Sequence, residues 1–444
     1  MLSRFFETMW GKFESKDERL KFIRLAVVFC FTIGVYWILN PTKDVVFLHT
    51  VGLDYFPFVK WFSIGVIVPS LFLYGKLVDK FPRHQAFYVL CAFYATGSLI
   101  FGYFIMHPHY GVANTVLSEY RIIGWLWYAF VESFGSLMVV LFWSFAADTS
   151  TPDSAKRGFS ILALGAQIGG VLGPLMLHDI AHFWGPGQVI CIGAVGIVGI
   201  GVLIYYFMAV TPAKELGGYH SEDVQSAGYT KPEVNFLDGV KLIFSEPYLI
   251  GIVAVVTLYE VVATVIEFHA KTMGKFAFPD LHDYHSFSFK LALYANGIAL
   301  LSLLLGVGAV GRTLGLLKTL LLLPLLIGLG IAAIFFHPTI WTVVVVMVVV
   351  KGLNYALNQP AKEQLYIPTS RNSKYKAKAW IDTFGSRTAK GAGSAVHMLR
   401  PVLQLGFIGV SSLICFGLIA IWVIAAFYVG NAHARALKED KVIC

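Results

Sequence analysis

Charge is scarce in this 444-residue chain: Asp, Glu, Lys and Arg together supply only 14 % of it. Water-soluble domains carry about a quarter of their residues as charges, so an ordinary soluble architecture is excluded. Cysteine is also rare. The five, Cys30, Cys91, Cys191, Cys415 and Cys444, show no C-x-x-C spacing, and four lie in apolar runs, so neither a disulfide framework nor a zinc site is indicated. Nothing supplies a nucleophile with a positioned base, a Walker loop or a metal cluster, so an enzyme is not expected and no cofactor is implied. GVGAVG, from Gly306 to Gly311, has the G-x-G-x-x-G spacing, but it ends an apolar run and follows no strand. Helix packing or a turn accounts for it. His107, His109, His282 and His285 are read as solvated loop histidines. The segment MLSRFFETMWGKFESKDERLKF carries four acids and no small-residue cleavage site, and reads as a cytosolic amphipathic lead-in.

What the chain has in abundance is apolar length: 57 % of its residues are hydrophobic. A helix needs about 20 apolar residues to cross a bilayer, because its backbone groups must all be paired within the segment. Breakers such as Pro82, Pro108, Pro186, Pro279 and Pro338 divide the apolar runs into spans near 22–52, 56–79, 86–106, 121–147, 158–178, 188–210, 247–270, 288–310, 314–335, 339–362, 376–398 and 404–430. The fold expected is an all-α polytopic membrane protein of about twelve helices. Its organisation is a six-helix bundle over 1–210, a cytosolic central loop over 211–246 and a second six-helix bundle over 247–444. The formal charge of +8 does not point to nucleic acid. Most Lys and Arg fall in alternate loops, which places both termini in the cytosol.

A charge at the bilayer centre costs at least about 2.5–3.5 kcal/mol on insertion scales, so one is kept there only when it faces a cavity or a partner. Several spans keep one. The first contains NPTKD, in which Pro41 removes a backbone donor and is expected to break the helix beside Lys43 and Asp44. The fourth carries Glu132, the seventh Glu260 and Glu267, the tenth Lys351, and the eleventh Asp382, Arg387 and Lys390. Arg387 and Lys390 are three apart and share a face. Small residues beside them, Gly391, Gly393 and Ser394, leave room for a bulky anion. Arginine grips phosphate with two parallel bonds and lysine acts as a point charge. A phosphorylated anion is the natural substrate class. Each charge also has a bland reading: Lys43 with Asp44, Arg387 with Asp382, or Glu267 with Lys271 four residues on could simply be an ion pair. Glu260, the deeper of the two glutamates, is preferred on these grounds for the cavity.

The halves repeat. AKRGFSILALGAQIGGVLG from Ala155 and KAKAWIDTFGSRTAKGAGSA from Lys376 superpose, pairing Lys156 with Lys376, Gly165 with Gly385 and Gly173 with Gly393. Repeat-built transporters require such equivalence. The glycines at 165, 169, 170 and 173, ahead of Pro174, let helices approach closely. Between the second and third spans, YGKLVDKFPRHQ resembles the G-x-L-A-D-R-x-G-R-K loop of the major facilitator superfamily, with Gly75, Asp79 and Arg83 in place and Pro82 for the usual glycine. The resemblance implies a gate in which the acid pairs with a base.

Two longer stretches resemble the ATP:ADP antiporter family of intracellular bacteria and plastids. ESFGSLMVVLFWSFAADTSTPDSAKRGFSILALGA is similar to its E-L-W-G-S, L-F-W-x-F-A-N and E-A-K-R-F-Y signature. KGLNYALNQPAKEQLYIP with KAKAWIDTFGSRTAKGAGSA is similar to its D-P-T-K-E-M-A-Y-I-P, K-G-K-A and G-R-L-G-K-S-G-G signature. The resemblance implies nucleotide antiport in the bacterial inner membrane and a part for Lys43, Glu132, Glu267 and Lys390, with Lys362, Glu363 and Arg387 as further candidates. It thereby promotes Glu267 over Glu260. Ser133, Phe134, Gln359, Ala361, Gly391 and Ala392 depart from the family pattern, so a proton-coupled importer of nucleotides, NAD or another phosphorylated anion stays open as the alternative. The expected partners are a nucleotide and the lipid bilayer, and a monomer is expected. The mechanism expected is alternating access around a cavity lined by spans 1, 4, 7, 10 and 11, with Trp125, Tyr128, Tyr259 or Tyr355 stacking on the base.

Overall fold

A computed structural model describes residues 13–216, 219, 236–305, 314–370, 377–439 and 442–443. The glycine motif at 306–311, most of the central loop, Lys376 of the repeat and Cys444 lie outside the described residues. Among the described residues, ten helices are long and apolar enough to cross a membrane. They are α1 (Lys16–Thr50), α2 (Phe56–Lys80), α3 (Arg83–Met106), α4 (Ile122–Asp148), α5 (Pro152–Leu177), α6 (Pro186–Val210), α7 (Pro247–Ala277), α8 (Leu281–Leu304), α9 (Leu316–Phe336) and, after two further helical stretches, α12 (Phe407–Glu439). Their starts follow local chemistry. Ser15 caps α1 by accepting from the Glu18 amide at 2.8 Å, and Thr151 caps α5 ahead of Pro152, whose fixed φ suits a first turn.

The two stretches outside the ten are interrupted. In α10, Ile340–Leu353 runs through a π turn at Asn354–Asn358 into Gln359–Leu365. In α11, Lys378–Trp380 runs through a π turn at Ile381–Gly385 into Ser386–Val396. A π turn takes in one extra residue, which turns the rest of the helix by about 100°. Lys351 and Lys362, eleven residues apart, would share a face on an unbroken α-helix; the π turn between them separates their faces. Arg387 and Lys390 both follow the second π turn and keep their common face.

Pro41 does not break α1, contrary to the expectation from NPTKD: the helix is continuous from Lys16 to Thr50. The carbonyl that loses its amide partner is that of Trp37; side-chain bonds are added on neighbouring carbonyls, from the Thr42 hydroxyl to Ile38 at 2.8 Å and from the Lys43 ammonium to Asn40 at 3.4 Å.

The chain forms two compact units. The first comprises 1–52, 65–229 and 278–293, so it includes the first part of α8; the second comprises 53–64, 230–277 and 294–444, so it includes the start of α2. The core of the first is aromatic, with Phe29 stacked on Phe142 at 4.0 Å and Phe22, Trp127 and Phe134 fully buried. Its closest helix pair is α1 with α5. A side chain at Gly165, Gly169 or Gly173 would come within 3.0 Å of the carbonyl oxygens of Ala26, Cys30 and Gly34 respectively. Both series step by four, so a stripe of glycine on α5 lies directly on α1 backbone. The second unit repeats the arrangement with α11 on α7, where a side chain at Gly393 would meet the Val261 carbonyl at 2.7 Å.

Gly169→Leu should therefore force α5 off α1. Overpacking costs about 1–3 kcal/mol, so the melting temperature of the detergent-purified protein should fall by several degrees. Gly65→Leu, where nothing lies within 4 Å of the new Cβ, should melt like the parent. Equal melting of the two variants would contradict this packing.

Candidate substrate-binding site

The first unit holds its membrane cation in a cage. Lys43 is 2 % exposed, and its ammonium lies 3.3 Å from Glu132 on α4 and 3.6 Å from Asp44. It also donates to the Asn40 side-chain oxygen one turn earlier and sits over the Tyr128 ring at 4.8 Å. Phe47 packs edge to face against both Trp125 and Tyr128. The structure thus brings together Lys43, Asp44 and Glu132, which the sequence singled out, and adds Asn40, which carried no signal beyond its place three residues before Lys43. Glu132 is about a quarter exposed while Lys43 is covered. A solute reaches the acid more readily than the base.

The second unit contains two clusters. In one, Glu260 on α7 accepts from the Ser386 hydroxyl at 2.9 Å and lies 3.8 Å from Lys390 on α11, whose side chain is half exposed. Lys362, beyond the π turn of α10, is buried over the Tyr259 ring at 5.7 Å. In the other, the two oxygens of Glu267 divide between lysines: Lys271 donates to one and Lys351 to the other, each at 2.7 Å. Glu260 and Glu267 therefore each hold a cation of a different helix. Seven residues apart on one helix, they share a face. A choice of one against the other is unnecessary.

Among the aromatics suggested for stacking, Tyr128 and Tyr259 are core residues, 0 % and 3 % exposed, and Tyr355 is 41 % exposed. Trp125 is half-buried and donates its indole N–H to the Glu119 carbonyl at 3.0 Å.

At the α2–α3 turn, Arg83 donates to the Val78 carbonyl at 2.7 Å and pairs with Asp148, the last residue of α4, at 3.3 Å. Asp79 is exposed, and a side chain at Gly75 would meet nothing within 4 Å. Sequence reasoning missed Asp148. It also missed a buried ionic knot at the start of α1, in residues read as a lead-in. Lys21, 1 % exposed, donates to the carbonyls of Thr149 at 3.1 Å and Glu215 at 2.8 Å. Glu18, 3 % exposed, accepts from Arg157 at 2.8 Å. Beside it Lys214, outside the spans, pairs with Asp17 at 3.0 Å, and the hydrogen bond to that carboxylate raises its pKa. The spacing of Glu18 and Lys21 could have signalled an inward face, since three residues of helix bring them onto one side.

The family model described as TLC ATP/ADP transporter matches residues 2–433. Among curated relatives, the ADP,ATP carrier protein 1 of Chlamydia pneumoniae is 25 % identical, over 93 % of this chain and 92 % of its own length. The ADP,ATP carrier protein 1 of Rickettsia prowazekii is 24 % identical over 92 % of each. The chloroplastic ADP,ATP carrier protein 2 of Arabidopsis thaliana is 24 % identical over 95 % of this chain and 76 % of its own. Among solved structures, the nucleoside transporter NupG superposes with a TM-score of 0.59 at 12 % identity, over 94 % of this chain and 99 % of its own. A D-xylose-proton symporter does so with 0.61 at 12 %, over 92 % and 96 %. At such identities these two structures establish the fold.

Removing Lys43 leaves two acids in a largely covered cage. Breaking a buried ion pair costs about 3–5 kcal/mol, and the partial exposure of Glu132 puts this case at the low end. Lys43→Met should lower the melting temperature, and Glu132→Gln added to it should recover part of the loss. If the double variant melts no higher than Lys43→Met, the cage does not balance charge as described.

Proposed function

The chain belongs to the TLC ATP/ADP transporter family, and on that premise we propose that it exchanges ATP for ADP across a bacterial inner membrane, with both termini in the cytoplasm. It carries its substrate by alternating access and performs no chemistry on it. Twelve membrane crossings, counting α10 and α11 with their π turns, belong to this reading. The observation that carries it is the state of the spanning cations: Lys43, Lys351 and Lys390 each lie against a carboxylate supplied by another helix.

A lysine kept in a membrane helix needs a counter-charge. Glu132, Glu267 and Glu260 supply it. Phosphate oxygens offer the same lysines charge-assisted bonds, and so compete with the carboxylates rather than fill a vacant site. Each acid released from its base then makes the loaded state differ from the empty one. A ligand shifts a conformational equilibrium only through such a difference in its interactions with the two states. The relatives named as ADP,ATP carriers support the same substrate pair. In this reading the expected residues Lys43 and Glu132 of the first unit, and Glu260, Glu267, Lys362, Arg387 and Lys390 of the second, each take part in substrate binding, with Lys351 and Asp44 as charge partners and Gly75, Asp79 and Arg83 at the gate.

The test is uptake of labelled ATP into bacterial cells expressing the protein. Exchange requires that uptake be driven by internal ADP and survive a protonophore. Lys390→Glu should reduce the initial rate by at least tenfold, because it places a second acid beside Glu260. Uptake that collapses with the protonophore and ignores internal nucleotide would replace exchange with proton-coupled import. Full uptake by Lys390→Glu would remove Lys390 from the site.

A further inference from the structure

Resting on the nucleotide-exchange reading, we propose that Lys271 and Lys60, together with Lys351, form a polyphosphate subsite in the second unit that distinguishes nucleoside di- and triphosphates from monophosphates, with Glu267 as the resident counter-charge that the phosphates displace. Neither Lys271 nor Lys60 stood out as a ligand in the sequence: one reads as a salt-bridged helix end, the other as the edge of a span.

Three observations place them together. Lys271 and Lys351 approach the two separate oxygens of one carboxylate at 2.7 Å each. Lys60 acts electrostatically on that same carboxylate. Both Lys60 and Lys271 also lie over a single ring, that of Phe56, at 5.9 and 5.1 Å. Three ammonium groups, from the start of α2, from α7 and from α10, thus converge on one acid. Lys271 is about an eighth exposed, and Lys351 and Glu267 about a quarter, so a dissolved anion can reach the cluster. A chain of phosphates can touch all three ammonium groups, because its oxygens repeat along its length. A single phosphate offers the three ammonium groups fewer oxygens and less charge.

The repeat supplies an independent argument. Gly173 on α5 lies against Gly34 of α1, and Gly393, its counterpart on α11, lies against Val261 of α7. Lys43 stands nine residues beyond Gly34, and Lys271 ten beyond Val261. The two lysines therefore stand at nearly the same depth on the equivalent helices of the two halves, one residue apart in register, with Asp44 the residue directly in register with Lys271. Lys43 pairs with Glu132 of α4; Lys271 shares Glu267 with Lys351 of α10, the helix equivalent to α4. The second half keeps the first half's construction but places a base on the facing helix where the first half has an acid. That exchange replaces a cage of one base and two acids with a cation-rich cluster, and a polyanion is the ligand that such a cluster fits.

The test uses purified full-length protein in liposomes loaded with ADP, measuring uptake of labelled ATP against external AMP, ADP and GDP as competitors. Lys271→Gln should reduce the preference for ADP over AMP at least tenfold and leave the preference for ADP over GDP within about twofold. Lys271→Arg should retain both preferences. Where Lys271→Gln gives no folded protein, Lys60→Gln reads the same quantity at the same cluster. Variants that keep the parental ADP-to-AMP preference, or that weaken all competitors equally, would overturn the proposal, the second outcome assigning these lysines a structural part. Parent protein that takes up no nucleotide would overturn the functional reading itself, which separates the two failures.

Discussion

No charge inside a spanning helix is cheap, and the organisation of both units follows from how each is held. A lysine or glutamate at membrane depth is retained only with a partner or a water-filled surround. Here the partners come from other helices. Glu132 of α4 holds Lys43 of α1, Glu267 of α7 holds Lys351 of α10, and Glu260 of α7 stands by Lys390 of α11. Removing one member of such a pair strands the other, which is far costlier than never having had it. The helices that carry these charges are thereby tied to one another, and an anion that takes over a lysine also loosens the tie.

Charges at separations of 2.7–3.8 Å need helices that meet reproducibly. Glycine supplies this. With Gly165, Gly169 and Gly173 lying on the α1 backbone, and Gly393 on that of α7, the helix axes approach as closely as two backbones permit. Around these pairs the π turns of α10 and α11 set which way the lysines face. Such turns cost good hydrogen-bond geometry and persist mostly at functional positions, and both of these lie in helices that carry the candidate lysines and arginine.

Most of the fold was legible because hydropathy and proline spacing are one-dimensional signals. Each expected span contains a helix or an interrupted helical stretch, and several ends agree within two residues, as at Phe56–Lys80 and Ile122–Asp148. The membrane charges themselves were legible for the same reason: Lys43, Glu132, Glu260, Glu267 and Lys390 stand out in apolar surroundings. Three things were not. The π turns depend on which carbonyl each amide selects, and composition does not record that choice. Pro41 suggested a break because the rule considers one lost hydrogen bond, whereas the helix runs on through it from Lys16 to Thr50. Lys271, Lys60 and the Glu18–Lys21–Arg157 knot lie near helix ends, where a charge in sequence reads as solvated; their burial and convergence come from neighbours distant in the chain.

The central proposal is that the membrane lysines are kept for the phosphates of a nucleotide and not for its base. Thermal stabilisation of the purified protein tests that most directly, since a ligand that binds the folded state raises its stability by RT ln(1 + L/Kd), where L is the free ligand concentration. ATP, ADP and inorganic pyrophosphate should each raise the melting temperature, and adenosine should leave it unchanged. Stabilisation by adenosine equal to that by ATP, with none by pyrophosphate, would contradict the claim.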